Sequence, residues 1–345
     1  MHVHNHYMKR SLALASNGLG HTLSNPLVGC VIVNAGKIIG EAYHKKFGGP
    51  HAEVLAWENA GKPESLKDCT VYVNMEPCTH YGKTPPCTDL LEQLLPKTVV
   101  VAQTDPNTSV SGKGIEVLRN AGIEVITGVL EKEARFINRR FNTYHEKKRP
   151  YIILKWAQTS DGFVGPATQK EGERFVISNP FMHTMVHTWR AQEMSISVGK
   201  GTVLQDDPEL TVRLVEGKNP VRIILDRDLE IPLIKKVFNT NAPTLVFNCS
   251  KDDKKENVEW IKISRENFSS HALEAIWKRG IVSVFIEGGP NMINTLLAAG
   301  VWDEIRTITS PITLTNGINA PTAKGKLIIS EEVNGDRLEI RMNEL

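Results

Sequence analysis

Two hydrophobic periods alternate along this chain. Residues 28–33 and 37–43 are apolar-rich runs joined by a short turn at Asn34-Ala35-Gly36, and they read as paired strands. Residues 70–74, the fully apolar 98–102 and 124–127 read as further strands. Between them lie segments with helical spacing. Residues 7–17 carry apolar Met8, Leu12 and Ala15; 52–60 stops at Gly61; 88–95 is closed by Pro96; 115–120 and 132–144 follow. A charged stretch, His145-Glu-Lys-Lys-Arg-Pro150, interrupts this rhythm before a fresh apolar strand at 151–157. The alternation then resumes, with strands near 195–198, 221–225, 244–247 and 283–286 and helices near 180–189, 271–278 and 291–299. The charge run 251–256 reads as a solvated loop. Strands alternating with helices imply a layered α/β sheet in each half, and the pattern predicts domains at 1–147 and 148–345.

Length and composition fit this division. A chain of 345 residues is long enough for about two domains. With 41 basic and 39 acidic residues the net charge is +2, which suits a small anionic substrate better than a nucleic acid. Five cysteines in no disulfide-framework spacing, a polar opening segment and no long apolar run point to a reducing cytoplasm and no membrane span. His2, His4 and His6 alternate at the N-terminus and read as a frayed end.

The densest chemistry lies in the first half. His51-Ala52-Glu53 is followed, 27 residues after the histidine, by Pro77-Cys78 and then by Pro86-Cys87. One histidine and two cysteines supply three ligands to a tetrahedral zinc and leave the fourth position to water. A glutamate two residues past the histidine is placed to shuttle protons without touching the metal. His51 and Glu53 fall at the start of a predicted helix, as Cys87 does, and a helix N-terminus favours the thiolate that a metal needs.

The second half has no G-x-G-x-x-G and so no direct sign of a dinucleotide-binding turn of that type. Glu287-Gly-Gly-Pro-Asn291 stands at a predicted strand-to-helix junction, where Gly288 and Gly289 let backbone approach a ligand and the helix start offers free N–H groups to phosphate. Thr202 and Asp206 suit a cap or a turn as well as a ligand contact. Asp226-Arg227, just after the strand 221–225, places a guanidinium where it can meet a cofactor 2′-phosphate and favour NADPH over NADH.

Eight residues, Thr79-His-Tyr-Gly-Lys-Thr-Pro-Pro86, separate the two cysteines, where the commonest deaminase pattern has two. Here the chain resembles the bifunctional deaminase/reductase family of riboflavin biosynthesis. The resemblance is carried by Asn25-Pro-Leu-Val-Gly-Cys-Val-Ile-Val33, His51-Ala-Glu53 and Glu76 to Cys87. Lys155 to Gly162, Arg190-Ala191, Gly199 to Arg213 and Glu287 to Asn291 extend it over essentially the whole chain. It implies a cytidine-deaminase-like three-layer domain followed by a dihydrofolate-reductase-like domain. The implied substrate is a diaminopyrimidinone bearing a phosphoribosylamino group, deaminated to the uracil with zinc and then reduced by NADPH from ribosyl to ribityl.

The resemblance also implies site residues. Asn25, His44, His80 and Lys83 would meet the deaminase substrate, with His80 and Lys83 near its phosphate. Ala157, Thr202, Asp206, Gly289, Pro290, Asn291, Met292, Ile293, Asn294 and Thr295 would contact NADPH. Arg190, Leu210, Arg213 and Glu287 would hold the reductase substrate, the arginines by pairing with phosphate oxygens. Lys155 and Glu287 are both candidates for the proton donor in the reduction. The chain departs from the family in Arg174-Phe-Val-Ile-Ser178. Arg174 replaces a serine that would meet substrate and offers a second phosphate contact, and Val176 replaces a tryptophan near the cofactor. A homo-oligomer is expected. Two rival readings are a deaminase of free nucleosides or tRNA with an unrelated second domain, and a structural zinc module, which should close its shell with a fourth protein ligand.

Overall fold

The computed structural model describes residues 2–108, 110–168 and 175–343. The chain divides into two compact units, residues 1–148 and 149–345. The first unit runs α1 (His2–Ser16), β1 (Gly29–Asn34), β2 (Lys37–Tyr43), α2 (Ala52–Asn59), β3 (Cys69–Met75), α3 (Cys87–Leu94), β4 (Thr98–Gln103), α4 (Lys113–Asn120), β5 (Glu124–Thr127), α5 (Glu131–Ile137) and α6 (Arg139–Glu146). Its sheet has the order β2-β1-β3-β4-β5; β1 is antiparallel to both neighbours, while β3, β4 and β5 are parallel.

Successive strand side chains point to opposite faces, and both faces of this sheet are covered. Cys30 and Ile32 of β1, Val71 and Val73 of β3, and Val99 and Val101 of β4 pack with Ala52, Ala56, Leu91, Leu94 and Leu118 of α2, α3 and α4. Val31, Val33, Tyr72, Val100 and Ala102 face the other way, onto Met8 and Leu12 of α1 and Ala134 of α5. The result is a helix–sheet–helix sandwich. Two expectations are corrected. The N-terminal histidines belong to α1, where His4 Nδ1 lies 3.0 Å from the Tyr72 hydroxyl, and the helix expected at 132–144 is two helices meeting at Asn138.

The second unit runs β6 (Tyr151–Thr159), β7 (Phe163–Gly165), α7 (Pro180–Gln192), β8 (Ser195–Val198), α8 (Lys200–Asp206), β9 (Val221–Leu225), β10 (Thr244–Asn248), β11 (Asp253–Lys255), β12 (Val258–Lys262), α9 (Phe268–Lys278), β13 (Ser283–Glu287), α10 (Pro290–Ala298), β14 (Glu304–Ser310), β15 (Ile318–Asn319), β16 (Lys326–Val333) and β17 (Asp336–Met342). Ten strands form one sheet in the order β11-β12-β10-β9-β8-β13-β6-β14-β17-β16. The seven from β12 to β14 are mutually parallel, and antiparallel strands close both edges.

Alternation again builds two cores. Tyr151 and Ile153 face Met182, Val186 and Trp189 of α7, and Ile152, Leu154 and Trp156 face Ala272 and Ile276 of α9 and Ile293 and Leu297 of α10. Two elements replace expected loops: α8 forms where a turn was one reading of Thr202–Asp206, and β11 is an exposed edge strand inside the charge run. No helix among the described residues is long and apolar enough to cross a membrane.

Candidate functional site

In the first unit, α2 and α3 bring their N-termini to the segment that follows β3. His51 is the residue capping α2, in extended conformation, and Cys87 is the first residue of α3. His51 Nδ1 lies 3.1 Å from Cys87 Sγ and 3.4 Å from Cys78 Sγ, and the three ligand atoms all fall within 4.8 Å of one another. Zinc bonds of about 2.0–2.3 Å in tetrahedral geometry require ligand atoms gathered on this scale. Nε2 lies 3.2 Å from Thr84 Oγ1; with zinc on Nδ1 it would carry the ring proton and donate there, the outer bond that fixes a ligating imidazole. A second contact holds the sulfurs together: the Cys87 backbone N–H donates to Cys78 Sγ at 3.3 Å.

Charge at this centre is shaped by those contacts. The Cys78 thiol is pulled down to about 4, first by its hydrogen bond with Cys87 and also by His51, against the effect of burial. Cys87 is pushed up by the same hydrogen bond and by burial. Glu53 sits in the first turn of α2, buried, and burial raises its carboxyl above the ordinary value, with the Cys78 charge adding to this. A buried carboxyl beside the ligand set is placed to take up and release a proton.

Two polar clamps hold the walls of the centre. The Glu76 carboxylate, one residue before Pro77-Cys78, accepts from the backbone N–H groups of Asp105, Gly112, Gly114 and Ile115 at 3.0, 3.0, 2.9 and 3.4 Å. Leu27 is held through its N–H by Asn138 Oδ1 at 2.7 Å and through its carbonyl by the side-chain amides of Asn74 and Asn138. That clamp fixes the Asn25-Pro26 turn. Asn25 Nδ2 lies 3.1 Å from His44 Nε2, and His44 Nδ1 lies 3.0 Å from the Pro50 carbonyl. A carbonyl only accepts, so His44 carries its proton on Nδ1 and takes one from Asn25. Burial holds His44 below the ordinary histidine value, and its ring meets His51 edge-on with centroids 5.5 Å apart.

The inter-cysteine loop is more open. His80 and Lys83 are exposed. Lys83 Nζ lies 4.4 Å from the Phe47 ring centroid, and its stem fills the place a side chain would need at Gly48, where a Cβ would come within 2.8 Å of Lys83 Cδ. The structure thus gathers Asn25, His44, His51, Glu53, Cys78 and Cys87, and sets Lys83 beside Phe47.

In the second unit a cavity of about 1180 Å³ opens at the C-terminal ends of the parallel strands β6, β8, β9 and β13. Open parallel sheets place their ligands at these ends, where the chain reverses its winding direction. Of the residues expected here, Ala157, Thr202, Asp206, Arg227, Gly289, Pro290, Asn291, Met292, Ile293 and Thr295 line the cavity, as do Arg190, Leu210, Arg213 and Glu287. Asn294 is exposed and not part of the lining, and Ile293 doubles as a core residue. Arg174 lies outside the described residues. Val176 is exposed and lines the cavity.

Gly289 shows why its position tolerates no side chain. Its φ is +74°, and a Cβ there would lie 3.3 Å from both the Gly199 nitrogen and Thr202 Oγ1. The glycine lets the start of α10 approach the start of α8, leaving a cradle of backbone at the cavity wall. Arg227 is exposed, with its guanidinium 5.2 Å from the Phe268 ring centroid.

Two residues before Gly289, Glu287 forms a two-pronged ion pair with Arg190, Nε–Oε1 2.5 Å and Nη2–Oε2 2.8 Å, between the end of β13 and α7. Burial alone would raise the Glu287 carboxyl, but Arg190 outweighs it and holds Glu287 below the usual range. Lys155, opposite Glu287 in the β6–β13 register, is lowered by burial. Two residues absent from the sequence reading complete this wall: His183 and His187 also line the cavity. They precede Arg190 by seven and three positions, a single helical face whose spacing was the available signal.

Comparison with known proteins identifies both units. The family description "Cytidine and deoxycytidylate deaminase zinc-binding region" matches residues 1–103, and "RibD C-terminal domain" matches residues 150–334. The riboflavin biosynthesis protein RibD of Aquifex aeolicus is 44% identical over 323 residues, spanning 92% of this chain and 89% of that protein. RibD of Escherichia coli is 36% identical, over 89% of this chain and 87% of its own length. The solved Thermotoga maritima diaminohydroxyphosphoribosylaminopyrimidine deaminase/5-amino-6-(5-phosphoribosylamino)uracil reductase superposes with a TM-score of 0.88 at 39% identity, covering 99% of both chains. Acinetobacter baumannii RibD superposes at 0.89 with 32% identity and the same coverage. With a His/Cys/Cys centre in a deaminase unit and a reductase unit after it, this chain belongs to the RibD family of bifunctional deaminase/reductases of riboflavin biosynthesis.

Proposed function

We propose that the first unit deaminates a diaminopyrimidinone carrying a phosphoribosylamino group, and that the second reduces the resulting 5-amino-6-(5-phosphoribosylamino)uracil with NADPH. The convergence of His51 Nδ1 and two thiols beside a buried Glu53 carries the first half of this reading. His51, Cys78 and Cys87 would hold the zinc, which when bound would lower the pKa of a water toward 7. Glu53 takes one proton from the attacking water and passes it to the ring nitrogen, then takes the second from the hydroxyl so formed and passes it to the amino group, which leaves as ammonia. Asn25, fixed through His44 and the Leu27 clamp, orients the substrate, and Lys83 and His80 meet its phosphate from the inter-cysteine loop.

For the second half, the backbone cradle at Gly289 and the start of α10 suit a dinucleotide phosphate, with Thr202, Asp206 and Ala157 on the same wall. NADPH, when bound, would supply the hydride for C1′ of the opened sugar. Glu287 and Arg190 hold the substrate, Arg213 meets its phosphate, and Lys155, with its depressed pKa, donates the proton to the ring oxygen as the sugar opens. Arg227 is the contact for the 2′-phosphate. The protein works in the cytoplasm as a homo-oligomer, which light scattering checks. Incubation with the diaminopyrimidinone phosphate, with and without NADPH, tests the whole reading: ammonia should appear in both samples and NADPH should fall only after deamination begins. No ammonia from zinc-loaded protein would remove it.

A further inference from the structure

The segment 209–213 that crosses the second cavity is latched from four sides. Arg222, fully buried, donates Nε–H to the Glu209 carbonyl at 2.9 Å; Arg190 Nη1 donates to the Thr211 carbonyl at 3.0 Å; and the Val212 N–H reaches Asn219 Oδ1 at 2.7 Å. Between the first two latches Leu210 takes a left-handed φ of +54°, and its side chain is among those that line the cavity. The fourth latch is the Arg213 N–H, which donates to His187 Nδ1 at 3.0 Å.

This last bond determines the state of His187. A backbone N–H can only donate, so Nδ1 is unprotonated and a neutral ring must carry its proton on Nε2. Burial, Arg190 and Arg213 together pull His187 down to about 4, against Glu287, with His183 also disfavouring the charged form. The ring is therefore neutral at physiological pH. It lines the cavity, and with Nδ1 taken, the hydrogen bond it has to offer there comes from Nε2–H. Its cationic neighbours differ in how far their charge is spent. Arg190 is neutralised by Glu287 in a buried two-pronged pair, whereas the half-exposed Arg213 guanidinium meets Glu209 only at 3.3 Å and donates to the Thr211 hydroxyl.

Resting on the reading of the second unit as the reductase, we infer that His187 is a specificity-determining residue of that site: its Nε2–H donates to the substrate's phosphate beside Arg213, while its Nδ1 sets where Arg213 stands. The chemistry of the position is restrictive. A lysine or arginine could not accept the Arg213 N–H, and a carboxylate would repel the phosphate. A neutral imidazole accepts on one side and donates on the other.

His187→Asn separates the two jobs, because its amide oxygen can still accept the Arg213 N–H whereas its short side chain does not extend to the place of Nε2–H. With the phosphorylated aminouracil, His187→Asn should raise KM about tenfold with kcat within about twofold, the size expected for losing one hydrogen bond to a charged group. KM for the dephosphorylated counterpart should not move. His187→Ala should raise KM for the phosphorylated substrate further, and ammonia release by the first site should stay normal in both variants, reporting an intact chain. An equal rise for both substrates, or none for the phosphorylated one, overturns the assignment. Calorimetric titration of the full-length protein with ribose 5-phosphate gives an independent reading. About tenfold weaker binding to His187→Asn supports it, and unchanged binding contradicts it. Wild-type protein that binds ribose 5-phosphate in a His187-dependent way yet leaves NADPH unoxidised would remove the reductase reading and keep the phosphate site.

Discussion

The two sites of this chain solve their problems at opposite scales. The deaminase centre is compact: three ligand atoms within 4.8 Å, contributed by two helix starts and one short loop, with the proton carrier two residues from a ligand. The reductase cavity is large, about 1180 Å³, and its lining residues are spread along the chain from Lys155 to Pro321. The chemistry explains the contrast. A metal concentrates charge at one point, so few residues suffice if their geometry is tight. Hydride transfer between two large molecules needs both held in line, so many weak contacts share the task. Single substitutions should therefore be decisive at the first site and graded at the second.

The largest effect should come from Cys87→Ser. It should lose zinc and reduce ammonia release by more than about a thousandfold, while NADPH oxidation with already deaminated substrate stays normal. Full zinc occupancy by elemental analysis would show that the ligand is wrongly assigned. Glu53→Gln should sharpen the contrast by keeping zinc and losing about 10²–10⁴-fold in deamination. Near-normal turnover would exclude its proton role.

Arg190→Ala leaves Glu287 buried without its partner and should cost the second unit about 3–5 kcal/mol, seen in its denaturant midpoint and in a loss of NADPH oxidation. Because Glu287 lies below its ordinary value when folded, the pair stabilises fully above the unfolded carboxylate pKa of about 4.3 and less as pH falls through the folded value. In the wild type this acid-side loss should be present, and in Arg190→Ala it should be absent. Arg213→Ala should be milder: KM about tenfold higher for the phosphorylated substrate and kcat little changed. The smallest effect is expected of the exposed Arg227. Arg227→Ala should weaken NADPH several-fold more than NADH, and equal loss for both cofactors would give Arg227 another role.

The same contrast governs what the sequence discloses. The zinc centre is legible because its ligands and Glu53 lie at fixed spacing within local motifs, and strands such as β4 and β13 announce themselves by apolar runs bounded by turn residues. What stayed hidden depends on distant partners. Asn138 breaks a helical pattern because its side chain is engaged at Leu27, 111 residues away. The edge strand β11, Asp-Lys-Lys, has no hydrophobic pattern since it pairs through backbone with β12 and leaves every side chain exposed. Helix α8 carries three residues of low helix preference, Gly201 and the β-branched Thr202 and Val203, and forms with Val203 buried in the core. His187 is silent in the sequence because the bond that gives it meaning comes from Arg213, 26 positions on.

The central claim is that one chain houses two chemically independent sites, only one of which depends on a metal. Zinc chelation tests it most directly. The full-length protein is stripped with a chelator, and ammonia release from the diaminopyrimidinone phosphate and NADPH oxidation with the pre-deaminated uracil are followed on the same sample. Ammonia release should cease and return on adding zinc, with NADPH oxidation unchanged throughout. Parallel loss of both activities on chelation, or deamination that persists in zinc-free protein, would contradict the account.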